Sequence, residues 1–558
     1  MQKQRDIRFI ITDPSTTGKE AENIRFIRSH AGRWAWRQVR YNRNEENGAG
    51  AGTALEITRN FDIESLSHEA EIPRNNSAWS LAPAPDIADS SSVPDALTLR
   101  HGGNMDSGEQ NSTTLVFGPS TELLDPFQTS TPSPLSSNQV NISNKYCISF
   151  LWPGLMPEPS TRANHEGIGH WLSISAHHSA LHSAMLFGSY SHRRVRWLVT
   201  GHGQFGADNI RYMRICEADT ISKINRAIQD PLTAVSDAII LSVLCLAANY
   251  HEDRVSQLGK LSPFQAPLRS LQWLDIYGRL STNAIHQAGL IQLIQLKGGL
   301  EKIELPALAA VISFFGIINA SKTLSRPYFP FSSLQDGREL TLHHVLYTPI
   351  PTWSYQQGSL LQIPMTNEML DVFHGLRKYV SLVQAFQDGV QPGVDRGTLC
   401  DFRNLLQWHI MSLLPASQLG HVIIPFYPMY ESCRLALIIF GVGITFPLPP
   451  ETAPLEKLSK MLQIELESCD YSSLSGTPGA TEIRCWCLVL GGIASTETNS
   501  RKWFVQQLRR IATAQGLSTW DEVKVVLEST VWVERACDMA GSFLWDEVMI
   551  LPNSEDSA

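Results

Sequence analysis

The chain has 558 residues, 43% of them hydrophobic and 18% charged, which is enough to bury a sizeable core and too apolar for a wholly disordered protein. A net charge of −9 excludes a protein that coats nucleic acid through a basic surface. The nine Cys are scattered, with Cys485-x-Cys487 the only close pair, which excludes a dense disulfide framework and points to reduced thiols.

From the N-terminus, no apolar run follows Met1–Asp6, so no signal peptide is expected. Residues 1–43 contain one amphipathic helix. At ~100° per residue, Ile24, Ile27, Ala31, Trp34 and Ala35 gather on one face. Arg25, Arg28, Arg33, Arg37, Arg40 and Arg43 spread over the opposite half. That Arg face is a candidate nuclear-import or docking surface; a solvated helix face would look the same. Residues 44–144 are rich in Gly, Ser and Pro and weak in apolar period, as in Asn47–Gly52 and Thr131–Pro134. Such composition buries too little surface to offset ordering entropy, so a disordered linker is expected there.

Residues 145–558 read as one helix after another, an all-α domain of stacked antiparallel helices. Ile221, Ile224 and Ile228 form one stripe. Asp230-Pro231 supplies a cap and a first-turn Pro for a helix carrying Val235, Ile239, Val243 and Leu246. Leu290, Leu293 and Ile294 follow, and Gly298-Gly299 is the left-handed stop. Ala307–Ala320 and Leu435–Phe446 are apolar but short of the ~20 residues of a membrane span, so they read as buried core helices. Phe504, Leu508 and Ile511 repeat the helical spacing, and Thr519-x-x-Glu522 is a capping box.

Chemistry is sparse. Gly201-His202-Gly203-Gln204-Phe205-Gly206 matches the dinucleotide fingerprint G-x-G-x-x-G, and Val195–Thr200 would have to be its strand. Helical patterns flank it on both sides, which favours an inter-helix loop. His165, His170, His177, His178 and His182 cluster, with His178 and His182 one helical turn apart, yet no complete ligand set is present. Cys485 and Cys487 flank Trp486 in an apolar run and read as buried thiols. No nucleophile–base–orienter set occurs, so no catalytic, metal or cofactor residue is assigned.

Several motifs recur in a particular order: Phe9-Ile10 with Ile27–Ala31, Leu124-Asp125-Pro126-Phe127, Ile285–Leu290 running into Leu296–Gly299, and Arg434–Phe440. Leu490–Ala494, Trp503–Leu508 and Leu544–Val548 complete the series. Together they resemble the helical regulatory region of fungal zinc-cluster transcription factors. The resemblance implies an all-helical regulatory domain, nuclear residence and control of a gene set, including metabolic gene clusters; it implies no catalytic residue. A binuclear zinc cluster needs six Cys with two C-x-x-C pairs. This sequence has no C-x-x-C, and its first Cys is Cys147. Unaided DNA binding is therefore not expected. The expected partners are proteins, a DNA-binding regulator or a second copy of the chain, with no membrane. Two other readings stay open: a dinucleotide-binding enzyme using the Gly201–Gly206 loop, and a helical scaffold with no role in transcription.

Overall fold

The structure, a computed structural model, describes residues 133–157, 163–250, 260–335, 339–348, 365–390, 394–419, 427–469, 479–496 and 498–551. The Arg-bearing helix and most of the 44–144 linker expected from the sequence lie outside these residues. The described residues belong to one compact unit that takes in Thr121–Ala558. They are helical with no strand among them, as the sequence pattern requires.

The helices in order are α1 (Ser137–Tyr146), α2 (Trp152–Leu155), α3 (Ala163–His177), α4 (Ser179–Thr200), α5 (Ala207–Ala227), α6 (Pro231–Ala234) and α7 (Asp237–Ala248). Next come α8 (Leu274–Tyr277), α9 (Ala284–Lys297), α10 (Leu308–Thr323), α11 (Leu342–Leu346), α12 (Asn367–Gln387) and α13 (Arg396–Ser412). The chain finishes with α14 (Tyr427–Phe440), α15 (Leu455–Ser468), α16 (Ala480–Ala494), α17 (Ser500–Gln515), α18 (Trp520–Glu528) and α19 (Glu534–Ile550).

Local chemistry sets many of the boundaries. The Asp230 carboxylate accepts from the Leu232 and Thr233 amides ahead of Pro231. Asn283 caps α9 in the same way, and Gly298 ends it at φ 107°. Thr519 and Glu522 form the reciprocal box that opens α18. Two boundaries differ from the sequence reading. The helix expected after Asp230-Pro231 breaks at Val235, and Ser236 in extended conformation starts α7 afresh. Helix α1 starts inside the stretch read as linker, where Ser136 and Gln139 make a capping box and Leu135 joins the core. A capping box and one apolar anchor are local signals that the composition of the surrounding hundred residues obscures.

Helix α4 packs along α5 and also against α7, and α7 packs on α9. Further along, α14 packs on α15 and α16, α16 on α17, and α12 on α13. The two apolar runs are buried, the first in α10 and the second in the end of α14 with a π-helical turn, Gly441–Thr445. Among the described residues no helix is long and apolar enough to cross a membrane.

The last three motifs of the series, Leu490–Ala494, Trp503–Leu508 and Leu544–Val548, meet in this core. Gly491 and Gly492 let α16 approach its neighbours. A methyl on Gly491 would lie 2.4 Å from Phe504 of α17, and one on Gly492 would lie 2.6 Å from Leu544 of α19. Arg501 closes the same corner with a two-pronged pair to Glu547, at 3.1 and 2.9 Å. Trp486 is fully buried between Cys485 and Cys487, its indole N–H donating to the Val531 carbonyl at 2.7 Å. Burial pushes the Cys485 thiol up to about 12, the state of an inert core thiol. All nine Cys are free.

Candidate functional site

The most site-like feature is an apolar cavity where seven elements converge. Leu151 comes from a π-helical turn, Cys147–Leu151, between α1 and α2, Trp152 and Leu155 from α2, Trp171 from α3, and Met185 and Gly188 from α4. Leu241, Leu244, Cys245 and Ala248 of α7 form a second wall, and Val311, Phe314, Phe315 and Ile318 of α10 a third. The only side chains with hydrogen-bonding oxygen or amide groups in the lining are Asn249, which follows α7, and Tyr277 at the end of α8. The empty space is about 650 Å³, its mouth included, within the range of small-molecule pockets.

The wall behind Tyr277 is built with backbone strain. Leu268, Gln272 and Trp273 all take left-handed φ, at 51°, 58° and 54°. Such conformations cost on the order of 1 kcal/mol each for non-glycine residues, so the surroundings must hold them. Arg403 does so: it is buried and donates to the Leu271 carbonyl and Gln272 Oε1, both at 2.8 Å. The Trp273 indole donates to the Leu151 carbonyl at 2.9 Å and lies on Gly154, where any side chain would clash. Arg403 itself lines a smaller space of about 410 Å³, its open part included.

Behind Trp273 sits His192, fully buried, with its ring 5.0 Å from the indole. Burial, reinforced by Arg196, pushes its pKa down to about 3, so the ring is neutral. Its Nδ1 is 2.7 Å from the Tyr146 hydroxyl, which burial keeps protonated with a pKa of about 12. With Tyr146 donating, the ring proton falls on Nε2, which is buried without a partner.

The residues singled out by sequence fall elsewhere. Arg25, Arg28, Arg33, Arg37, Arg40 and Arg43 are outside the described residues. The Gly201–Gly206 loop joins α4 to α5 on the surface, and Val195–Thr200 is the last part of a helix, not a strand. Gly201 is the left-handed end of α4, and Gly206 the extended residue before α5. Gly203 has φ 90° with nothing near its Cβ position, so its glycine serves the turn. The strand–turn–helix setting of a dinucleotide site is not present at this loop. His170, His177 and His178 are exposed, whereas His182 is buried and its pKa lowered by desolvation. Among the described residues no group of three or more His, Cys, Asp or Glu can hold a metal ion.

Sequence reasoning missed Asn249. The only local signal is an apolar run, Ala238–Ala248, that ends on Asn, and Asn at a helix end reads as an ordinary stop. No family model matches this chain, and comparison with curated proteins and with solved structures finds no match.

Proposed function

We propose that this chain is a transcription-regulator-like protein of fungal type, resident in the nucleus. Its helical domain takes up a small ligand and works through protein partners. One observation carries the reading: the last three of the ordered motifs, Leu490–Ala494, Trp503–Leu508 and Leu544–Val548, converge on shared contacts. Gly491 and Gly492 seat against Phe504 and Leu544, and Arg501 pairs with Glu547. A chance scatter of short motifs has no reason to meet in one corner of a core. The cavity adds an input that such a domain can use, because a ligand that binds one packing better than another shifts the balance between them. The charge of −9 fits recruitment by a partner better than unaided DNA binding, which rests on phosphate neutralisation. The Arg face of residues 24–43 would then serve import or docking.

The test is to tether the full chain to a DNA-binding module that has no regulatory activity of its own, beside a reporter gene in a fungal cell. Reporter transcription is expected to change several-fold, up or down. An unchanged reporter, with the fusion intact and nuclear, would overturn the reading.

A further inference from the structure

We infer that the cavity between α4, α7 and α10 admits a small, uncharged ligand, held by ring and alkyl contact in space that Gly188 keeps open. The inference rests on the reading of this cavity as the regulator's ligand site. It concerns which chemistry that site selects.

The lining decides the class. It contains neither carboxylate nor cationic side chain, so a charged ligand would lose its hydration without compensation. Its amide is withdrawn from any ligand. Asn249 is 4% exposed, its Nδ2 donates to the Cys245 carbonyl at 2.9 Å, and its Oδ1 has less than 1 Å² of open surface. Ser191 Oγ donates to the Asn249 carbonyl at 3.2 Å and holds the backbone there. The indole N–H of Trp171 is taken up by the Pro306 carbonyl, at 2.9 Å. Burial keeps the two remaining titratable groups uncharged. The Cys245 thiol is pushed up to about 12, and Tyr277 is raised well above its ordinary value. What is left to meet a ligand is mainly ring and alkyl surface. Trp152, Trp171, Phe314 and Phe315 supply the flat faces that suit an aromatic or alicyclic ring.

Gly188 shows that the space is not a by-product of tight packing. Glycine inside a helix is disfavoured against alanine, so a buried one needs a reason. At Gly491 and Gly492 the reason is a neighbour, since Phe504 and Leu544 lie 2.4 and 2.6 Å from where a methyl would sit. Gly188 is buried inside α4, and the nearest side chain to that position is Asn249, its Nδ2 at 3.8 Å, an ordinary contact. No close approach of another element requires this glycine. Its missing side chain leaves room on the cavity wall.

The probe is 4-fluorotoluene, compared with 4-fluorobenzoate and 4-fluorobenzylamine, an anion and a cation of similar outline at neutral pH. Binding to the purified full chain is followed by fluorine NMR. 4-Fluorotoluene is expected to bind about tenfold or more tightly than either charged probe, because the lining cannot replace their hydration. Gly188→Ala places a methyl in open space and favours the helix. It should raise the thermal midpoint of the free chain and weaken 4-fluorotoluene several-fold. Gly188→Leu reaches further and should abolish binding; if that variant does not fold, the Ala variant decides. No binding of 4-fluorotoluene, a charged probe bound as tightly, or binding untouched by Gly188→Ala would each overturn the inference. Because the readout is binding to the pure chain, its failure is distinct from an unchanged tethered reporter, which bears on transcription alone.

Discussion

His192 shows how much a single buried group costs as the solvent changes. In the fold its pKa is driven down to about 3 by burial, with Arg196 adding to the effect, against an ordinary 6.5. The unfolded chain therefore binds the proton first as pH falls, and stability is lost between about pH 6.5 and pH 3. His286, lowered to about 4 by burial, acts in the same direction. Each should remove about 2 kcal/mol between pH 7 and pH 5, measured by urea unfolding at the two values. His192→Gln, which can still accept from Tyr146, should remove its own share, about 2 kcal/mol, of that dependence and leave that of His286; an equal slope in the variant would show that His192 is not neutral in the fold. None of this was visible in the sequence, where His192 is one of seventeen His and outside the cluster that drew attention. Asn249 escaped for the same reason. Its importance comes from being sealed beside Cys245 and opposite Gly188, and pairings between distant helices leave no local pattern. By contrast, the core roles of Trp486, Cys485 and Cys487 could be read directly, because their run is apolar on every face.

At the scale of elements, helix ends were the most legible feature where a local signal stood beside a clear apolar period. Asp230, Gly298 and the Thr519–Glu522 pair all act within four residues of themselves. Ends held by a distant element could not be read. The C-terminus of α18 is the clearest case: Arg377 of α12 donates to the carbonyls of Ser529 and Thr530, and Trp486 of α16 donates to Val531. A guanidinium at the carbonyl end of a helix satisfies groups that have no partner inside it and complements the helix dipole. Arg377→Ala should therefore lower stability by about 1.5–3 kcal/mol, seen as a lower urea midpoint at unchanged slope. A change below ~0.5 kcal/mol would mean that water replaces the guanidinium at no loss.

For the whole molecule, the issue is whether so long a chain behaves as one unit. Cores usually stop growing near 250–300 residues, and longer chains split into domains. Here one cluster of buried apolar side chains runs from Leu135 to Val548. Polar ties also cross the sequence at long range. The Gln265 amide donates to the Ala536 carbonyl at 2.8 Å, Trp171 to the Pro306 carbonyl at 2.9 Å, and Arg403 to the Leu271 carbonyl at 2.8 Å. The strained Leu268–Trp273 segment is shared between both ends of the chain, since Arg403 and Leu151 each hold part of it. If the chain from α14 onward unfolded alone, Gln265 would lose the Ala536 carbonyl and Phe314 of α10 its ring contact with Phe446, which couples the early helices to the late ones. Thermal unfolding of the full chain should therefore show a single transition, with far-ultraviolet circular dichroism and tryptophan fluorescence giving the same midpoint. Two transitions separated by about 10 °C or more would mean that the early and late helices are separate cooperative units joined by a weak interface. In that case the cavity, which lies wholly among α2 to α10, would report only on the first of them.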